Sequence, residues 1–206
     1  HLARLYVTLR RAFDLPPLRP DPTAATRPLP RSLAGLAEWM SSPLPAAELG
    51  RAVAGCFPGR LGVVRALPGP LGADSGACEN SAAGRQSGHP LLRAVEADRG
   101  RGPLWRYLGL LADLEAAHAL PAPLRLPDGT AVVQAARGAY ALRLGQAGGV
   151  VTAVLRVTPT DHQLAPGGAL AQALAHVPGD RADLVSRLVA LHDPCVPVTV
   201  AEVSHA

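Results

Sequence analysis

The chain has 206 residues, 48% of them hydrophobic and 3% aromatic, and carries a net charge of +4. That is enough apolar material for one ordinary core, or a core with a satellite, and it excludes a disordered chain. No apolar run approaches the roughly 20 residues of a membrane span, and the basic residues, all arginine, are spread along the chain, so no nucleic-acid patch with aromatic stacking platforms is expected.

Leu2, Leu5, Tyr6, Leu9 and Phe13 fall on one helical face, and Pro16-Pro17 stops that helix. A Pro-rich connector runs on to about Arg31. Ser32 is a suitable N-cap for a helix burying Leu33, Leu36, Ala37 and Met40, and Pro45 can start another carrying Leu49 and Val53. From Phe57 to Gly88 the chain is rich in Gly, Pro, Ser and Ala without sustained period, which predicts a long irregular connection. Pro90 opens a helix through Leu91, Leu92 and Val95. Leu104, Leu108, Leu111 and Glu115 trace a longer one that ends before Pro121.

The period then changes from helical to alternating. Leu124 to Leu126, the Pro127-Asp128-Gly129 turn and Ala131 to Gln134 predict a hairpin. Tyr140, Leu142 and Leu144 alternate with Ala141 and Arg143. After a turn at Gly145 to Gly149, Val151, Ala153, Leu155 and Val157 alternate too, predicting a half-buried antiparallel pair. A final helix, capped by Asp180 with Asp183 in its first turn, points Leu184, Leu188 and Leu191 inward. The expected class is α+β: a helical region over 1–120 with Pro/Gly-rich connections, then hairpins, a helix and an Asp-Pro-Cys tail over 121–206.

The phosphate loop, dinucleotide fingerprint, metal-binding H-E-x-x-H helix and nucleophile elbow are all missing from the sequence. Cys56, Cys78 and Cys195 are odd in number and far apart, with no C-x-x-C pair, so neither a disulfide framework nor a zinc site is indicated. With no charged-then-apolar leader at the start of the chain, a reducing cytoplasm is the expected location. Cys195 follows Asp193-Pro194, and proline fixes its own φ while pushing the preceding residue out of the helical region. A thiol held at such a point suits a soft or borderline metal such as nickel or low-spin iron. The alternative is one more small buried apolar side chain.

Two other segments sit at the ends of regular elements: Ala135-Ala136-Arg137-Gly138 and Thr158-Pro159-Thr160-Asp161-His162. Read alone, Arg137 is equally a strand-end salt bridge, and Thr158 to Thr160 a strand-terminating turn. His162, His192 and His205 read as ordinary, partly exposed histidines, with assistance to a metal the alternative for His162 or His192.

Taken in order, these three segments resemble the C-terminal part of the large subunit of nickel-iron hydrogenases. The family pattern there is an A-R-G or P-R-G element, a P-T-x-W-N element and a terminal D-P-C-x-x-C-x-x-H. The resemblance gives Arg137 the guanidinium role, Pro159 and Thr160 the pocket for the iron's diatomic ligands, and Cys195 the first terminal thiolate. Val198 stands where the second thiolate belongs, Ala201 replaces the final histidine, and Asp161-His162-Gln163 replaces the Trp-Asn portion. A complete dinuclear thiolate site therefore lacks its sulfur donors.

A large-subunit tail with one terminal cysteine and no second is similar to the HupK-type hydrogenase assembly proteins, called HoxV in some systems. Leu15-Pro16-Pro17, Glu38-Trp39, Ser87-Gly88-His89-Pro90-Leu91, Leu126-Pro127-Asp128-Gly129 and Ala165-Pro166-Gly167-Gly168-Ala169-Leu170 match that family's run of motifs. The resemblance implies a hydrogenase large-subunit-like fold and a further N-terminal region, with its own cysteine, before His1. It also implies a non-catalytic scaffold for the iron-cyanide-carbonyl fragment, with nickel a further candidate metal. The implied partners are hydrogenase maturation factors and the hydrogenase large subunit. Two other functions stay open: a degenerate or split hydrogenase subunit, and a structural module without ligand. A cysteine-nucleophile enzyme using His192 or His162 lacks any local motif.

Overall fold

A computed structural model describes residues 2–17, 28–70, 72 and 76–199. Much of the Pro-rich connector, together with Ala201 and His205, lies outside the described residues, as does the side chain of Leu2. Helices α1 (Leu2–Ala12), α2 (Leu33–Met40), α3 (Pro45–Cys56), α4 (Ala82–Arg85), α5 (Pro90–Arg99) and α6 (Pro103–Glu115) precede a four-stranded antiparallel sheet. The sheet is a meander in sequence order, β1 (Leu124–Arg125), β2 (Ala131–Ala135), β3 (Gly138–Ala147) and β4 (Val150–Val157), followed by α7 (Pro159–Leu164), α8 (Ala169–Ala175) and α9 (Asp183–His192). The α+β class expected from the sequence is what this architecture shows.

The main core is helical and draws on both ends of the chain. Leu5 and Leu9 of α1, Leu49 and Val53 of α3, Leu91, Leu92 and Val95 of α5, and Trp105 and Leu108 of α6 pack with Leu184, Leu188 and Leu191 of α9. Apart from Trp105, these are positions that the 3.6-residue period picked out, because burying an apolar stripe is what stabilises an amphipathic helix in a small domain; Leu104 and Leu111 of α6, also expected to face in, are only partly buried. Arg187 on α9 fastens the ends of that core, donating to the Ala12 carbonyl at 3.1 Å and to Asp14 Oδ2 at 2.9 Å. Asp14 itself sits at φ +54°, so α1 ends before the two prolines expected to stop it.

Several expectations need correction. Ser32 does cap α2, accepting from Gly35 N at 3.2 Å, but the buried residues are Leu36 and Trp39, while Leu33 and Ala37 face out. The larger indole takes the inward position. Asp180 lies in a short 3-10 turn, and the N-cap of α9 is Ala182, which has no side-chain cap. The stretch 57–88 is more structured than its composition predicts: Phe57, Val64 and Leu67 reach the core, and α4 forms with Ser81 as its cap. A Cβ on Gly109 of α6 would collide with Ala83, so glycine there lets α4 lie against α6.

The sheet is buried only where it meets the helices. Ala139, Ala141 and Val157 are its inward residues, whereas Leu144, Val151, Val154 and Leu155 are exposed. The register sets Ala141 opposite Val157 and Leu142 opposite Arg156, but the expected half-buried alternation fails along β4, where every residue except Val157 is exposed. It is the smaller side chains that face in, because helix α4 approaches the sheet at that end, and the far half of the hairpin, turning at Gly148-Gly149, is exposed.

Candidate functional site

Two chains of polar contacts run from the helical core to the Asp193-Pro194-Cys195 segment. The first starts at Asp113 on α6, which binds Arg85 of α4 in a two-point ion pair at 2.7 and 2.6 Å. Arg85 Nη1 then donates to Gln134 Oε1 at 2.7 Å and to the Ala135 carbonyl at 3.1 Å, fixing the end of β2. There the chain turns through Ala136-Arg137 into β3. Arg137 Nε donates to the Asp193 carbonyl at 2.6 Å, and its Nη2 to Asp193 Oδ1 at 3.1 Å.

The second chain starts at Asn80. Its Oδ1 accepts from Ala139 N at 2.6 Å and its Nδ2 donates to Ala139 O at 2.8 Å, so the amide occupies the place of a neighbouring strand. Those two backbone bonds fix which end of the amide is which. The same Nδ2 lies 2.8 Å from His162 Nδ1, which therefore accepts, leaving the ring proton on Nε2. Gly138 is required beside it, since its φ is +142° and a Cβ would run into Asn80. His162 is on α7, whose neighbour Thr160 accepts from the Cys195 backbone N at 2.9 Å.

Helix α7 is set by a reciprocal capping box. Thr158 Oγ1 accepts from Asp161 N at 3.3 Å and donates to Asp161 Oδ2 at 2.8 Å, while Thr158 N donates to the same oxygen at 2.7 Å. Pro159 takes the first helical position, where its missing N–H costs nothing. At the other end of the site α9 stops at Asp193, which adopts φ +47° in the left-handed region and so redirects the chain toward Cys195. Asp193 and Cys195 are thus each gripped from a different element, Arg137 on the β2–β3 turn and Thr160 on α7.

Cys195 is exposed and lines an open cleft of about 490 Å³. Thr158, Thr160, Asp161 and Leu164 of α7 and its cap form one wall, and Arg156 at the end of β4 and Val196 complete the rim. Pro159 and Thr160 are buried, so Thr160 and Cys195 meet at the cleft while Arg137 reaches it only through the tail it holds. The reading of Cys195 as a buried apolar side chain is therefore overturned. His162 and His192, expected to be partly exposed, are 1% and 5% exposed. The reason for His162 is the Asn80 contact, and for His192 the packing of the last turn of α9.

Beneath the site lies a buried ion pair. Arg106 donates from Nη1 and Nη2 to both carboxylate oxygens of Glu79 at 3.1 and 3.0 Å, and Ser81 Oγ donates to Glu79 Oε1 at 2.6 Å. Burial pushes the Glu79 carboxyl up, but Arg106 and Ser81 outweigh it and hold it below the usual range. His192 donates from Nδ1 to the Leu188 carbonyl at 2.9 Å, while its Nε2 is buried without a partner among the described residues. Burial and the nearby Arg106 charge push its pKa down to about 3, against smaller opposing effects from Leu188 and Glu79. Asp193 is shifted the other way, its carboxyl raised by burial although Arg137 pulls it down.

Cys56 is at the end of α3, 3.4 Å from Arg187 Nη1, and Cys78 is buried. No group of three or more His, Cys, Asp or Glu side chains able to hold a metal ion occurs among the described residues. The donor set thus fits attachment through one thiolate, not a closed multidentate site. Among the described residues no helix is long and apolar enough to cross a membrane.

No family model matches the chain, and no solved structure matches it. The class to which its motifs point is that of the hydrogenase formation proteins. Within that class, the chain is 53% identical over 129 residues to the hydrogenase expression/formation protein HupK of Rhodobacter capsulatus. The match takes in 62% of this chain and 44% of that protein, so it spans less than half the length of the curated relative. The HupK-type resemblance is thereby borne out.

Proposed function

We propose that the chain acts in hydrogenase formation as a non-catalytic scaffold that transiently holds the iron-cyanide-carbonyl fragment before it passes to the hydrogenase large subunit. The observation that carries this is Cys195, an exposed thiol held at an open cleft by Thr160 and, through Asp193, by Arg137. A single thiolate anchor suits cargo that must leave again, because release breaks one metal–sulfur bond instead of several. Thr160 lines the cleft beside the anchor, and Pro159, which does not line it, starts the helix that carries Thr160. Arg137 enters this reading as the residue that holds the tail, through Nε and Nη2 on Asp193, a two-point grip that suits a planar guanidinium. The similarity to a hydrogenase expression/formation protein supports this reading; the scaffold role in turn calls for hydrogenase maturation factors and a hydrogenase large subunit as partners in the cytoplasm, with nickel as a further metal to test.

Val198 separates this function from that of a split hydrogenase subunit, since it offers no second sulfur three residues after Cys195. The purified chain, with or without added nickel, should show neither hydrogen uptake nor evolution with a redox dye. Measurable turnover would overturn the scaffold reading in favour of a subunit.

A further inference from the structure

Most guanidinium groups under and beside the site are paired. Arg85 is bound to Asp113, Arg106 to Glu79, Arg137 to Asp193 and Arg143 to Asp128. Arg156, the penultimate residue of β4, lines the same cleft as Cys195 and has no hydrogen-bond or ion-pair partner among the described residues. Its place follows from the strand register. Arg156 pairs with Leu142 on the face opposite to Val157 and Ala141, which point into the protein, so it is turned outward at the point where β4 runs into α7. The acidic group of the cleft, Asp161, is already engaged by the Thr158 backbone and hydroxyl. Asp161 keeps its negative charge, so the two charged side chains lining the cleft are opposite in sign, but of the two only Arg156 has no hydrogen-bond partner among the described residues.

We propose that Arg156 is the anion-recognising residue of the Cys195 cleft: a ligand anchored on the thiol carries an anionic group, rich in hydrogen-bond acceptors, that the Arg156 guanidinium meets. A planar five-donor fork without a partner among the described residues binds such a group at no cost of breaking an existing ion pair, whereas Arg137 does not line the cleft and has Nε and Nη2 committed to Asp193. The kind of anion rests on the scaffold reading, under which it is the cyanide-bearing iron fragment. The placement of a free cation beside the thiol does not.

Two measurements keep those apart. In the first, Cys195 of the purified chain is alkylated by iodoacetate, an anion, and by iodoacetamide, its neutral counterpart, with the modified peptide quantified by mass spectrometry. Arg156→Gln should lower the iodoacetate-to-iodoacetamide rate ratio by about fivefold at low salt, the effect shrinking as salt is added, and Arg156→Lys should restore most of it. A general loosening of the cleft would change both rates together and leave the ratio alone, so an unchanged ratio in Arg156→Gln overturns the proposal. In the second, the chain is co-purified with the hydrogenase maturation machinery and its cyanide stretching bands are recorded in the infrared. Loss or shift of those bands in Arg156→Gln supports the assignment, and bands identical to the parent's overturn it. If the parent itself carries no such bands, the scaffold reading fails and the alkylation ratio alone decides whether Arg156 recognises anions.

Discussion

Arg137 grips Asp193 at both its backbone and its side chain, with Nε 2.6 Å from the carbonyl oxygen and Nη2 3.1 Å from Oδ1. The pair is partly shielded, 30% and 18% exposed, and it spans the point where α9 gives way to the Cys195 segment. Lysine keeps the charge but cannot make both contacts at once. Arg137→Lys should therefore cost about 1–2 kcal/mol in denaturant unfolding and speed amide exchange at Cys195 and Val196. Wild-type exchange at those amides would show that Thr160 alone fixes the tail.

The Glu79–Arg106 pair is 3% and 4% exposed, so removing one partner strands a buried charge. Arg106→Met or Glu79→Gln alone should destabilise the fold by about 3–5 kcal/mol. The double variant should cost less than the two added together, because neither charge is then left unpaired. Additive losses in a double-mutant cycle would contradict the pairing.

His192 makes stability depend on pH. Its native pKa is held down at about 3 from the ordinary value of 6.5, so between those values the unfolded chain takes up a proton that the folded chain refuses. Its contribution is intact above the unfolded pKa and is lost as pH falls through this window, by about 1.4 kcal/mol per pH unit for one proton. Urea unfolding between pH 7 and pH 4 should thus show a shallower fall in His192→Gln than in the parent. Parallel curves would mean that His192 is protonated in the folded state.

The helical core was legible because each long helix carries one apolar stripe, and Leu49, Val53, Leu91, Leu184 and Leu188 lie where that period puts them. The hairpin around Asp128-Gly129 was legible for a similar local reason. The polar scaffold under the site was not, since Glu79, Asn80 and Ser81 lie in a Gly/Pro-rich stretch whose local pattern gives no period, and their partners are residues such as Arg106, Ala139 and His162 far along the chain. Three consecutive polar residues before a small-residue helix were the available signal. Thr160 and Cys195 were marked by the family motif, and the structure brings them into contact. Arg156 carried no motif, and only the strand register together with the cleft places it beside the thiol.

The most direct test of the scaffold reading is infrared and metal analysis of Cys195→Ser, co-purified with the hydrogenase maturation machinery beside Cys56→Ser and Cys78→Ser. Serine is nearly isosteric and Cys195 is exposed, so the fold should survive the change. If Cys195 anchors the iron fragment, its serine variant should lose iron and the cyanide and carbonyl bands, while the other two variants keep them. Full retention of iron and bands by Cys195→Ser would contradict the account.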